Sequence, residues 1–206
     1  SLFVFLPLWS TSYLFEDYIN QPLVFNVISG SIRITIFLSY LIIISRLDDV
    51  KRLFEYHGAE HKVVYNFESG KDLNVNNAKN FSTFHPRCGT SFVFIIMLVT
   101  IFSYTIIDSI ALLFITELTY LYRMFFHILC LPLVAGIGYE VLKFLAVHQK
   151  NIFCKILSKP GMLLQKITTN PPDDDQLEVA IYALKKAFDK NLEKYSGKKF
   201  RADAIG

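Results

Sequence analysis

The sequence predicts an all-α membrane protein, a multi-pass helical bundle with a cytoplasmic loop helix and a C-terminal amphipathic helix. Three observations predict it. Apolar residues make up 52% of the chain and aromatic residues 15%, both high for a water-soluble domain. The apolar residues gather in stretches of about 20 or more, the length that crosses a hydrocarbon core of about 30 Å. The remaining polarity is concentrated in one long loop and a tail.

Taken in order, the chain divides into five parts. Residues 1–45 hold a short apolar segment, Leu2 to Phe15, and a first full span, Leu23 to Ser45. The short segment is either a truncated span or an interfacial helix, since it falls short of a crossing. The opening residues, Ser1 to Trp9, lack a basic leader and a small-residue cleavage site, so no signal peptide is read and the chain may be a piece of a longer one. Arg33 stands near the middle of the first span, where an arginine costs about 2.5–3.5 kcal/mol to insert. It should face protein or a polar cavity, with snorkelling to the surface as the plainer reading.

Residues 46–91 form the long polar loop. Val50, Leu53, Phe54, His57, His61, Val64 and Glu68 recur at spacings of three and four, which predicts an amphipathic helix over Asp49–Glu68. Asp48 and Asp49 suit its start by capping and by dipole, and Gly70 suits a left-handed cap at its end. Glu68 extends the same stripe and is open to reading as a further ligand, with a solvated residue near the helix end as the plainer reading.

Residues 92–149 hold two more spans, Phe92–Ile115 with Asp108 toward one end, and Tyr120–Val147. The last span carries Arg123 and His127 near its start, Pro132 as an expected kink, and Gly136 and Gly138 ahead of Glu140. Residues 150–172 are an interfacial basic stretch and a linker. Residues 173–206 begin with three aspartates that cap a soluble helix, 176–195, whose Leu177, Ala180, Ile181, Leu184, Ala187 and Phe188 form one stripe; the end, 197–206, is expected to fray.

Charge orients this plan. The loop 46–91 holds seven of the 21 Lys and Arg residues and the segment 143–206 holds twelve, whereas the breaks 16–22 and 116–122 hold none. Basic residues accumulate on the cytoplasmic side of short loops, so the loop and the C-terminus are placed in the cytoplasm of a cell (inner) membrane. The net charge is only +3 and forms no basic stripe, which excludes a nucleic-acid partner and leaves the lipid bilayer. Three scattered cysteines make no disulfide framework. Cys130 and Cys154 read as packing residues.

The chemistry lies in two short motifs. Positions four apart on a helix point within about 40° of each other, so His57 and His61 can present two imidazoles to one ion, with Glu60 beside them as a general base. The spacing matches the H-x-x-E-H metalloenzyme pattern. A second pair, His85 and Cys88, follows in a turn. Four N/S ligands would close a tetrahedral zinc site, and three with a water would leave a catalytic one. Glu140, about 10 Å deep from the inner end of its span, is read as completing the metal shell, as an acid or base, or as a partner for Arg33.

Four motifs carry a family resemblance: Tyr56 to Lys62 (YHGAEHK), Phe84 to Ser91 (FHPRCGTS), Leu131 to Glu140 (LPLVAGIGYE) and Pro172 to Ala180 (PDDDQLEVA). In this order they resemble the YqhQ-like multi-pass bacterial membrane proteins, described as predicted metal-dependent enzymes. The resemblance implies a divalent metal without naming a substrate. Family members begin with a polar, glycine-rich segment carrying a Glu and an Arg, which Ser1 to Trp9 does not match. The reading is a divalent-metal-dependent, hydrolase-like protein, with zinc as the metal and His57, His61, His85 and Cys88 as ligands. The alternatives are a biogenesis or scaffold subunit with a structural metal, docking a partner through helix 176–195, and an ion or proton transporter using Arg33, Asp108 and Glu140.

Overall fold

The computed structural model describes residues 2–148 and 150–197. From residue 198 on, the expected frayed tail lies outside the described residues. Among the described residues the regular structure is helical, without a strand. Helix α1 is Phe5–Leu14, α2 Pro22–Ile44, α3 Asp48–Ser69, α4 Val75–Ala78 and α5 Gly89–Ala111. They are followed by α6 Tyr120–Val147, α7 Ile152–Thr168, α8 Asp174–Phe188 and α9 Leu192–Tyr195. Helices α2, α5 and α6 are each long and apolar enough to cross a membrane, and the chain is an all-α multi-pass protein.

Local chemistry explains most boundaries. Pro22 opens α2, where its fixed φ and missing N–H cost nothing. Gly70 ends α3 at φ 74°, the left-handed cap that a glycine adopts without a Cβ clash. Asp48 and Asp49 lie in the first turn of α3, where they oppose the helix dipole; the expected side-chain cap is absent, because the N-cap position falls to Leu47. Helix α5 starts earlier than expected, since Ser91 N–H bonds to Cys88 O and Cys88 N–H to His85 O, leading the chain into the helix. It also ends earlier, as the bonds of Leu113 and Phe114 to Ile110 and Ala111 tighten the last turn.

The basic stretch after α6 is itself the helix α7, capped by Asn151, whose Oδ1 accepts from Phe153 N at 2.8 Å. Asp173 caps α8 in a full capping box with Gln176. The single helix expected over 176–195 is broken at Asp189, whose φ of 42° no α-helix contains. A 3-10 turn, Asp189–Asn191, separates α8 from α9.

The chain divides into two units, residues 1–40 with 92–144 and residues 41–91 with 145–206. In the first, Asp108 of α5 is the hub of a buried polar cluster. Its Oδ2 accepts from Asn26 Nδ2 of α2 at 2.8 Å and from Arg123 Nε of α6 at 2.9 Å. Its Oδ1 meets His127 Nε2 at 3.0 Å. Arg123 also donates to Ile19 O at 2.6 Å and lies 3.6 Å from the centre of the Phe25 ring. The Tyr104 ring stacks on His127 at 3.9 Å.

Arg33 is buried, as expected, and its Nη1 donates to Thr100 Oγ1 at 3.1 Å. Its partner is thus a hydroxyl on α5, whereas Glu140 is exposed on α6. Of the glycine pair ahead of Glu140, only Gly138 makes the expected close approach: a Cβ there would meet Ile96 Cγ1 at 2.8 Å, while one at Gly136 would meet open space.

The second unit is built on α3. Its core joins Ala59 and Val63 of α3, Ala78 of α4, and Leu177 and Ile181 of α8, with Leu73, Val75, Ala180 and Leu184 against them. The apolar stripe of α8 packs against α3 and α4 within the unit. Val179 and Tyr182 stay exposed on its other side.

Candidate metal centre

Helix α3 sets the site. Its i, i+4 spacing brings the His57 and His61 rings to 4.4 Å between centroids. The segment 79–88 then folds back along the helix, held by three side chains of α3. Lys62 Nζ donates to Lys79 O at 2.8 Å and to Phe81 O at 2.5 Å, and burial lowers its pKa. Tyr65 Oη donates to Phe84 O at 3.0 Å. His61 Nδ1 bonds to Thr83 O.

On the other side, Gln165 of α7 grips the same segment. Its Oε1 accepts from His85 N and its Nε2 donates to His85 O, both at 2.8 Å, and to Ser91 Oγ at 3.0 Å. These straps deliver Cys88 to the histidines. One donor atom each from His57, His61 and Cys88 lie within 4.8 Å of one another, with His61 and Cys88 buried and His57 half-buried.

The imidazoles are oriented as metal ligands are. His57 Nδ1 donates to Thr168 O at 2.8 Å, and His61 Nδ1 takes the equivalent bond to Thr83 O. With Nδ1 given to a carbonyl, each ring turns Nε2 toward the Cys88 sulfur, and Nε2 is the nitrogen that would coordinate an ion once its proton is released. His57 Nε2 stands 3.1 Å from Cys88 Sγ, and Thr90 Oγ1 is also 3.1 Å from that sulfur.

Electrostatics follow from these contacts. Burial opposes the Cys88 thiolate, but hydrogen bonds from His57, His61 and Thr90 outweigh it and hold the thiol at about 5. The bond to Cys88 is also the main cause that raises the His57 pKa, with smaller help from Thr168 and the Glu60 charge. A two-imidazole, one-thiolate set, buried and pre-oriented, fits a zinc-type ion.

The other expected site residues are not among this trio. His85 packs beside His61, with ring centroids 5.5 Å apart, but its Nδ1 accepts Arg87 N–H at 3.2 Å and its Nε2 lies 3.4 Å from Arg87 Nη2. Burial, then the charges of Arg87 and His61, lower its pKa to about 3, so the ring is neutral. Glu60 is exposed on α3, and Glu140 belongs to the other unit.

Glu68, expected to be solvated, is instead buried and ion-paired to Arg87. The reason is the returning segment, which lays Arg87 over the end of α3. Glu68→Gln should destabilise the unit by about 1–3 kcal/mol, because Arg87 loses its charged acceptor; chemical denaturation of the variant measures this. Gln165 and the carbonyls of Thr83 and Thr168 are the parts of the site that sequence reasoning misses. The carbonyls are carried by every residue and leave no signal, and Gln165 lies in a stretch read only as basic and interfacial.

Comparison with known proteins adds a family and little chemistry. A family model described as "Protein of unknown function (DUF1385)" matches residues 1–190. The chain is 36% identical over 154 residues to the "Uncharacterized protein YqhQ" of Bacillus subtilis (strain 168), a match covering 75% of this chain and 46% of that protein. The chain thus spans less than half the length of that relative. No solved structure matches.

Proposed function

The chain belongs to the DUF1385 family of proteins of unknown function, and we propose that it is a divalent-metal-dependent membrane protein of hydrolase type, acting at the cytoplasmic membrane surface. One observation carries the reading: His57, His61 and Cys88 converge with both imidazoles anchored through Nδ1 to backbone carbonyls. Three protein donors are the number a catalytic zinc uses, the fourth position serving water or substrate. When bound, such an ion supplies Lewis-acid activation for hydrolysis.

The chain's own groups divide the remaining work. His57 and His61 present Nε2, Thr90 hydrogen-bonds the Cys88 sulfur, and half-buried His57 is the side from which a substrate reaches the centre. Cys88 is 4% exposed, which suits a ligand and opposes a free nucleophile. Glu60, on the exposed side of α3, carries the general-base role within this reading.

Elemental analysis of the purified chain tests it. Wild type should hold about one zinc per chain, and His57→Ala, His61→Ala and Cys88→Ser should each lose it. His85→Ala should retain the ion, weakened about tenfold as for an outer-shell partner, and Glu60→Gln should leave the content unchanged. Absence of stoichiometric metal in wild type, or its retention after mutating both His57 and His61, ends the reading.

A second reading, a structural ion in a scaffold subunit, is favoured by the cross-tying of α3, the 83–88 turn and the end of α7 at this point. Chelation separates the two. A structural ion would take the fold with it, since its binding energy is folding energy, whereas the catalytic reading expects the helical content to survive.

A further inference from the structure

A second polar cavity opens away from the histidines, at the end of the first span. It encloses about 540 Å³ and is lined by Ser45, Arg46, Asp48, Lys51, Lys166 and Asn170, with Ile42 and Ile167 as its apolar wall. Ile42 is in the last turn of α2, whose final residue is Ile44. At a rise of about 1.5 Å per residue, the cavity floor lies within one helical turn of where the apolar helix ends.

Three cations meet one acid here. Among the described residues, Arg46, Lys51 and Lys166 are in no ion pair, with Asp48 or with any other carboxylate. The walls are joined, since Asn170 Nδ2 donates to Lys51 O at 3.4 Å and Asn170 N to Phe54 O at 2.9 Å. The cations are thus held around one space by elements far apart in sequence. A run of charge on a solvated face would lack this convergence.

Helix α7, which supplies Lys166 and Ile167, identifies the surroundings. It exposes Ile152, Phe153, Ile156, Leu157 and Leu163, and it carries Lys155 and Lys159. A helix with exposed bulky apolar residues and lysines is built to lie in a membrane interface. An unpaired cationic cavity beside it, at the depth where a span ends, is complementary to a lipid phosphate.

We propose that this cavity is a binding site for the phosphate-bearing headgroup of an anionic phospholipid, held by Arg46, Lys51 and Lys166 with Ser45 and Asn170 as hydrogen-bonding partners. The lipid's acyl chains continue from the apolar wall of Ile42 and Ile167 along the exposed apolar residues of α7. Asp48 sets the selectivity, because it offsets part of the positive charge and favours a headgroup that also carries hydroxyl donors. The site is separate from the metal donors and takes its ligand without them.

Native mass spectrometry of the purified full chain in detergent tests the assignment, with short-chain phosphatidylglycerol and phosphatidylcholine as paired probes. Phosphatidylglycerol should be retained preferentially, and Arg46→Gln/Lys51→Gln/Lys166→Gln should weaken it about a hundredfold, at about fivefold per charge. Lys166→Arg alone should keep the affinity, and the charge-matched control Lys150→Gln/Lys155→Gln/Lys159→Gln should keep the preference. Equal losses in the two triple variants, or none in the first, would overturn the site in favour of general surface attraction. Displacement of the lipid by inorganic phosphate at comparable concentration would overturn the lipid assignment and leave a free-anion site. Circular dichroism of each variant confirms that a loss is one of binding.

Discussion

Asp108→Asn should lower the stability of the membrane-spanning unit by about 3–5 kcal/mol, the cost of breaking a buried ion pair by removing one partner. The carboxylate and the Arg123 guanidinium are both 0% exposed, so the variant leaves a cation with no compensating charge in an apolar bundle. An amide also keeps only one acceptor oxygen, so the variant cannot serve His127 on one side and Asn26 with Arg123 on the other at once. One substitution therefore loosens α2, α5 and α6 together. Unfolding in a denaturing detergent titration would show it, and the double variant Asp108→Leu/Arg123→Met separates charge from packing. Replacing the whole pair by apolar residues should recover most of the loss. A single variant as stable as wild type would mean that water or lipid headgroups already reach the cluster.

Gly58→Ala should damage the proposed metal centre without touching any of its three donor residues. A Cβ at this position runs into the carbonyl of Asn170, and Thr83 Cγ2 lies 3.4 Å from it. The obstacle is backbone, so the chain must shift, at a cost of about 1–3 kcal/mol for overpacking. The stretch that has to move includes Thr168, whose carbonyl orients His57. Metal affinity should fall about 10–100-fold, as when an outer-shell partner is lost. Competition with a chromophoric chelator measures this, and unchanged affinity would show that the Thr168 bond does not position His57.

These two sites differ in how much of them the sequence discloses. The i, i+4 rule places His57 and His61 together because both sit on one continuous helix, and an amphipathic pattern locates that helix to within a residue. Cys88 is legible as a nearby donor, though its arrival depends on Lys62, Tyr65 and Gln165 gripping a segment of no regular structure. The Asp108 cluster is illegible in detail. Asn26 and Asp108 are 82 residues apart, and hydropathy tells how deep each lies but not which faces of three apolar helices meet.

Glu68 fails for a related reason. Its position on the helix stripe is readable, whereas its partner, 19 residues on, comes from the chain's return path. Helix 176–195 shows the limit of pattern at the other end: its stripe holds at Leu177, Ala180, Ile181, Leu184 and Phe188, Ala187 is exposed, and a backbone turn at Asp189 ends it.

The bond between His57 and Thr168 joins residues 111 apart, and this separation sets an order of events during synthesis. Both imidazoles and the thiol are synthesised before α5 and α6, while Gln165 and Thr168 are added only after both. Until then His57 is free to take either tautomer, and the segment around His85 lacks its grip from α7. A nascent chain therefore carries the donors of the centre through two rounds of membrane insertion without a finished site. On the proposed reading, metal captured early would be held loosely and exchange, and the centre matures only when α7 folds back onto α3, after both intervening spans have been made.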